Sequence, residues 1–328
     1  MKVFVAGATG ALGLPLVREL VARGHDVTGL TRSQGKRSLL QNLGARAAVA
    51  DVFDVPALEA AVRAAAPTHV VHMLSALPKN GPLRTADIAA TNELRIVGTA
   101  NLLRAAVAAG AQRIVGESFS AVYGYGDLGD RPRDEDDLPP VREDDAGARA
   151  VIEALRSLED QLLAANAQGT IEAIVLRYGM TYGPENASTL YMIDMLRKRW
   201  LPLLRGAQGI GSFVHVDDAA TATIAALEHG RPGAIYNIVD EEPVSLNEYL
   251  SALAQTTGAR RPLAIPSWLV RLAAPLAAGM AQTRLPLSNA RARRELGWRP
   301  RYPTYREGIR QVAQQLAAPN AVSHQVTS

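Results

Sequence analysis

The chain opens on the apolar run Val3-Phe4-Val5-Ala6 and passes straight into Gly7-Ala8-Thr9-Gly10-Ala11-Leu12-Gly13. A helical pattern follows, with Pro15 in its first turn. Few folds accept this arrangement. A strand has to turn tightly, and the next helix has to start close against it. Glycine at 7, 10 and 13 removes a Cβ at the turn, beneath anything lying on it, and at the helix–strand contact. The free N–H groups and positive end of the helix then offer a seat for a diphosphate. Strand before, helix after and the glycine spacing together point to a dinucleotide site. Its expected contacts are Gly7, Thr9, Gly10, Ala11, Leu12 and Gly13.

The rest of the first half repeats the same alternation. Val27–Thr31, Ala47–Ala50, His69–Leu74 and Arg113–Glu117 read as strands rich in Val, Ile and Ala. Between them, Asp54 and Pro56 start one helix, and 87–109 carries Ile88, Leu94, Val97, Leu102 and Ala106 at helical spacing. Near-continuous apolar strands between helices predict an α/β fold with a parallel sheet covered on both faces. The stretch 125–145 is dense in Gly, Pro, Asp and Glu and reads as a surface excursion. Its acids, Glu135, Asp136, Asp137, Glu143, Asp144 and Asp145, read as solvated. A helix over 151–166, a strand over 171–177, a helix over 217–228 and a strand over 234–239 complete the pattern.

Composition removes several chemistries. The 328 residues contain no cysteine, so thiolate metal sites and cysteine nucleophiles are excluded. The six histidines lack metal-ligand spacing, and no metal is expected. A net charge of +3 with scattered basic residues gives no nucleic-acid footprint. No targeting segment precedes Val3, and Arg271 and Pro275 interrupt the most apolar stretch, 268–281. The expectation is a cytoplasmic enzyme with a small-molecule substrate, and neither nucleic acid nor membrane as partner.

The end of the second strand selects the cofactor. A carboxylate there suits the adenosine ribose hydroxyls, and an arginine suits a 2′-phosphate. Here Thr31-Arg32 follows, with Lys36 and Arg37 nearby and no acid, so NADP(H) is favoured over NAD(H). The alternative is that Arg32 is a solvated loop charge. Asp51 and Val52 follow the third strand; Asp51 either meets the adenine or caps a turn.

With these residues in view, the chain resembles the extended short-chain dehydrogenase/reductase family of the NAD-dependent epimerase/dehydratase type. The marks are Gly7-x-x-Gly10-x-x-Gly13, Asp51, Asn92, Ala121-Val122-Tyr123-Gly124, Leu176-Arg177-Tyr178, Tyr182-Gly183-Pro184, Phe213-Val214-His215-Val216-Asp217-Asp218, Tyr236-Asn237 and Glu295-Leu296-Gly297-Trp298-x-Pro300. The resemblance implies a Rossmann-type doubly wound parallel sheet with a smaller C-terminal substrate lobe. The dinucleotide-binding domain is then 1–183 plus 213–240, the lobe 184–212 plus 241–317, and 318–328 a flexible tail. It also implies that Leu74, Ser75 and Ala76 run beside the cofactor, with Asn92 close by, and by analogy a homodimer.

The family's catalytic pair does not carry over. Aligned on Leu158-Glu159, its tyrosine falls at Val151 and its lysine at Leu155, and no Tyr-x-x-x-Lys exists anywhere in the chain. The family's Ser/Thr falls at Phe119, between Ser118 and Ser120. An arginine that meets the diphosphate in nucleotide-sugar relatives is Gly211, which weighs against such substrates. Three residues remain as catalytic candidates, each with a structural alternative. Tyr178 is a phenol near substrate or a packed tyrosine, Ser118 orients an oxygen or caps backbone, and His215 is an acid/base or a structural element. Three functions stay open: an oxidoreductase or epimerase on a small carbonyl or alcohol, a redox-silent lyase, isomerase or cyclase keeping the cofactor as scaffold, and a non-enzymatic NADP(H) sensor.

Overall fold

The computed structural model of the chain describes residues 1–78, 80–140 and 145–318, without the side chains at 271 and 273. The acids at 143 and 144 and the expected tail from 319 lie outside the described residues.

In chain order the strands are β1 (Lys2–Ala6), β2 (Asp26–Thr31), β3 (Arg46–Val49), β4 (His69–His72), β5 (Arg113–Phe119), β6 (Glu172–Tyr178), β7 (Met180–Tyr182), β8 (Leu203–Arg205), β9 (Phe213–His215), β10 (Ile235–Ile238) and β11 (Ala264–Pro266). Seven of them form one sheet in the order β10-β6-β5-β4-β1-β2-β3, with every pairing parallel. The order reverses between β1 and β4, which opens a crevice at the carboxyl ends of those strands. Alternate residues feed two separate cores. On β1, Val3 and Val5 pack into one, and Phe4 and Ala6 into the other. Burial on both faces is why these strands read as continuous apolar runs.

The helix Gly13–Ala22 buries Leu16, Val17 and Leu20, as its spacing predicts. Asp54 caps the helix Val55–Ala65, its side chain accepting from the Ala57 amide at 3.2 Å. The stretch expected as one helix over 87–109 is interrupted. A π turn at Leu94–Gly98 separates Ala89–Glu93 from Thr99–Ala108. The Thr99 hydroxyl donates to the Arg95 carbonyl at 2.6 Å, occupying an acceptor that the widened turn frees.

A further apolar cluster joins Ile193, Leu196, Val244, Tyr249, Leu253, Tyr305 and Ile309 beyond the carboxyl edge. The segment 290–298 lies apart from it. Ala292, Leu296 and Trp298 pack into the sheet's own core, and the Trp298 indole donates to Thr221 at 3.1 Å. No helix among the described residues is long and apolar enough to cross a membrane, and no metal-ligating cluster occurs among them.

Candidate active site

The glycine turn is shaped by contacts that admit no side chain. Gly7 has φ +93°, and a Cβ there would lie 2.1 Å from the Met73 carbonyl oxygen. At Gly13 a Cβ would meet the Gly7 carbonyl oxygen at 2.1 Å. These close approaches hold β1, β4 and the first helix together and leave a groove of about 560 Å³ along the strand ends. Its walls include Gly7, Thr9, Gly10, Thr31, Arg32, Ser33, Lys36, Asp51, Val52, Met73, Leu74 and Ser75. Arg32 and Lys36 have no ion-pair partner among the described residues, while Asp51 both lines the groove and accepts from the Phe53 amide at 3.0 Å.

Five of the expected cofactor contacts lie off these walls. Leu12 is buried in the core beneath, Ala11 is exposed beside it, and Gly13 acts through helix packing. The Ala76 amide donates to Thr91 at 3.1 Å. Asn92 donates to the Ala150 carbonyl at 3.3 Å and accepts from Arg95 at 3.2 Å.

A second, mostly apolar pocket adjoins the ends of β5 and β7. Phe119, Ser120, Ala121, Tyr125, Met180 and Ile210 line it, with Gly211, Ser212, Met280, Thr283 and Leu285 closing it from the far side. Its lining holds no charged side chain. Isolated bridges from Arg284 to Asp127 and to Ile210 bring these distant segments together.

The three catalytic candidates do not reach this pocket. Tyr178 is fully buried, and its hydroxyl lies 2.7 Å from the Thr223 hydroxyl on the helix Val216–His229, so it faces the core. Burial holds its phenol far above the usual tyrosine range. Ser118 donates to Glu159 at 2.6 Å on the helix Ala146–Ala167. His215 has no exposure; its Nδ1 accepts from the Asp217 amide at 3.2 Å as an N-cap, and its Nε2 lies 3.1 Å from Gln311. Burial lowers its pKa, favouring the neutral ring. All three are committed to packing.

Ser118 misses the pocket because a strand sends alternate residues to opposite faces, and Tyr178, on the face it shares with Phe119, is taken up by Thr223. Ser118 and Arg177 share the face toward the long helix. There Arg177 grips Glu159 with two hydrogen bonds of 2.9 and 2.7 Å, both side chains nearly inaccessible. Arg177 also donates to Tyr123 at 3.0 Å, and Tyr123 donates to Asn237 at 2.9 Å. Burial pushes the Tyr123 phenol up to about 12. The loop acid Glu135, expected in solvent, is buried instead and accepts from the Asn237 amide at 2.8 Å.

The positions at which the resemblance places the catalytic pair are filled by packing. Val151 and Leu155 are buried with Ile88, Val122 and Tyr123. Ser120 and Tyr125, each near an expected candidate in sequence, are the hydroxyl-bearing side chains that line the pocket from the β5 side. Ser120 parts from Ser118 because β5 ends at Phe119 and Ser120 opens a 3-10 turn, Ser120–Tyr123, while Ser118 stays in the strand with Glu159 as its partner.

The family model described as "NAD dependent epimerase/dehydratase family" matches residues 3–239. The chain is 38% identical over 312 residues to 3-diazoavenalumate denitrifying reductase of a Streptomyces species, covering 94% of this chain and 99% of that one. It is 30% identical over 334 residues to 4-hydroxy-2-methyl-3-oxo-4-farnesyl-3,4-dihydroquinoline-1-oxide ketoreductase of Stigmatella aurantiaca, covering 94% and 95%. Among solved structures, UDP-glucose 4-epimerase of Thermus thermophilus in complex with NAD superposes with a TM-score of 0.78 at 25% identity, over 96% and 98% of the two chains.

Proposed function

The chain belongs to the NAD dependent epimerase/dehydratase family, and from that premise we propose that it is an NADPH-dependent reductase of a small, largely apolar substrate, not of a nucleotide sugar. An enzyme of NAD(P)-dependent oxidoreductase or epimerase type is what its relatives share. The observation that carries the narrower reading is the pocket at the end of β5, apolar and without a charged side chain, one strand along from β4, whose end walls the dinucleotide groove. A sugar diphosphate would meet no cation there, and the position that could supply one is Gly211. The ketoreductase and denitrifying reductase relatives fit a pocket of this kind, and they do not favour a redox-silent or sensor role.

The chain's own residues divide the work. The backbone of Gly7 to Gly10 cradles the diphosphate, and Arg32 and Lys36 meet a 2′-phosphate as unpaired cations. Leu74 and Ser75 border the ribose beyond it. A reduced nicotinamide held there supplies hydride. Phe119, Met180 and Leu285 keep water from the reacting atom, and the Ser120 and Tyr125 hydroxyls orient the substrate.

The apolar Val151 and Leu155 favour one substrate class within this reading, an aryl diazo compound. Net, the diazo compound in its aryldiazonium form and one hydride give the arene C–H bond and dinitrogen, with no proton taken up. Dinitrogen departs as a neutral gas, so no alkoxide forms that a tyrosine–lysine pair would have to protonate. The Streptomyces relative is named for this kind of reaction. The test is consumption of NADPH, with dinitrogen trapped or counted, across aryl diazo compounds, aryl ketones and 3-oxo acids. Turnover of the diazo compounds is expected. Turnover confined to nucleotide sugars, or none with NADPH bound, overturns the reading.

A further inference from the structure

The dinucleotide groove crosses the strand ends in spatial order. It passes Asp51 and Val52 after β3, Arg32 after β2, Gly7 after β1, and Met73 to Ser75 after β4. The next strand in the sheet is β5. A dinucleotide with its adenine end near Arg32 and its diphosphate on Gly7 to Gly10 has to carry its other half onward across that strand end.

Glu117 stands there. The register pairs His72 with Gly116, so Met73 and Glu117 are next in line, and Met73 is a wall of the groove. On the same face of β5 the next residue is Phe119, a wall of the apolar pocket. Glu117 therefore lies in register beside one wall residue of the groove and two positions before a wall residue of the pocket, lining neither itself, on the face opposite Ser118. It is half-buried in a central strand, yet it has neither hydrogen bond nor ion pair among the described residues. A carboxylate in such a place is expensive unless something facing it uses the charge.

We propose that Glu117 is the counter-charge of the nicotinamide, a carboxylate facing the ring that favours its oxidised, positively charged form and so promotes hydride donation. The carboxylate gains and loses no electrons or atoms in the step. Two electrons and a hydrogen pass from the reduced ring to the substrate, and the positive charge left behind lies beside Glu117. The assignment rests on the cofactor reading above and adds a residue to it. Burial pushes the Glu117 carboxyl up to about 7, partly offset by Arg95. The other groups facing it are Arg95 from the π turn, held by Asn92, and the buried Tyr178 phenol on β6. Neither changes charge between pH 6 and 8.

The test is fluorescence titration of wild type and Glu117→Gln with NADPH and, separately, NADP+. In the variant, NADP+ should bind about tenfold more weakly and NADPH within about twofold of wild type. Wild type gives a second measurement that needs no variant. The preference for NADP+ over NADPH should grow by roughly fivefold from pH 6 to 8, as a carboxyl titrating near 7 takes up its charge. The 2′-phosphate is common to both forms and cancels. Equal shifts for both nucleotides in Glu117→Gln, or a wild-type preference that is flat with pH, overturns the assignment while leaving the cofactor reading intact. Failure of wild type to bind either nucleotide overturns the cofactor reading, and this assignment with it.

Discussion

Gly7 and Val151 are both positions on which the family resemblance bears, and the chain treats them in opposite ways. At Gly7 the family's pattern is kept to the atom, since even one added Cβ would lie 2.1 Å from the Met73 carbonyl oxygen. At Val151, where the resemblance places the family's tyrosine, the side chain belongs to an apolar cluster with Ile88, Val122 and Leu155. The difference lies in what each side is made of. The cofactor side is backbone, and its shape fails as a whole if one turn changes. The substrate side is side chains, which can be exchanged one by one while the helix beneath keeps its place. That helix keeps its place because Glu159, two turns further on, still anchors Arg177 and Ser118.

This contrast breaks first at Arg177. If the Ser118–Glu159–Arg177 network is architecture, Arg177→Met strands a carboxylate in the core, and stability should fall by roughly 3–5 kcal/mol in urea unfolding. Replacing Glu159 by Leu in the same chain should recover a substantial part of that loss. A network serving catalysis would behave the other way, with activity collapsing while the midpoint hardly moves.

A smaller effect is expected at Gly7. Gly7→Ala places a side chain at φ +93° and against Met73. Affinity for NADPH should drop about a hundredfold, or about 2.7 kcal/mol, measured by the same fluorescence titration. An alanine variant that binds as wild type would mean that the turn has room to spare, and the backbone side of the comparison would lose its basis.

The two sides also differed in how far they could be read from residues alone. Gly7, Thr9, Gly10, Thr31, Arg32, Asp51, Val52, Leu74 and Ser75 all line the groove because a strand–turn–helix unit builds it from neighbours in sequence. The pocket draws on 119–125, on 210–212 and on 280–285, and only the bridges at Arg284 bring those segments together. No local pattern announces such a meeting. Tyr178 and Ser118 were misplaced for a related reason. A strand end shows which residues alternate, but the facing helix decides which set is buried, and Thr223 and Glu159 are what claim these two. Glu135 was drawn inward by the Asn237 amide and Arg291, partners 102 and more residues away in the chain. The π turn at Leu94–Gly98 was hidden as well, because Thr99 and Arg95 look ordinary in a helical pattern until the hydroxyl finds the freed carbonyl.

The smallest effect tests the substrate side directly. Val151 is buried, makes only apolar contacts in its cluster and lines neither groove nor pocket. Val151→Ala removes two methyl groups from that packing, a loss of about 2 kcal/mol once the cavity left behind is counted. The thermal midpoint should fall by about 3 °C, because an unfolding entropy near 2.1 cal/mol/K per residue gives roughly 1.5 °C per kcal/mol for 328 residues. kcat/KM should stay within about twofold of wild type, because nothing at this position reaches the reacting atoms. A fall in kcat of the size that follows loss of a proton-transfer residue, roughly 10²-fold or more, would show that the helix still delivers chemistry from Val151 to the crevice. The substrate side would then have to be as intolerant of change as the glycine turn.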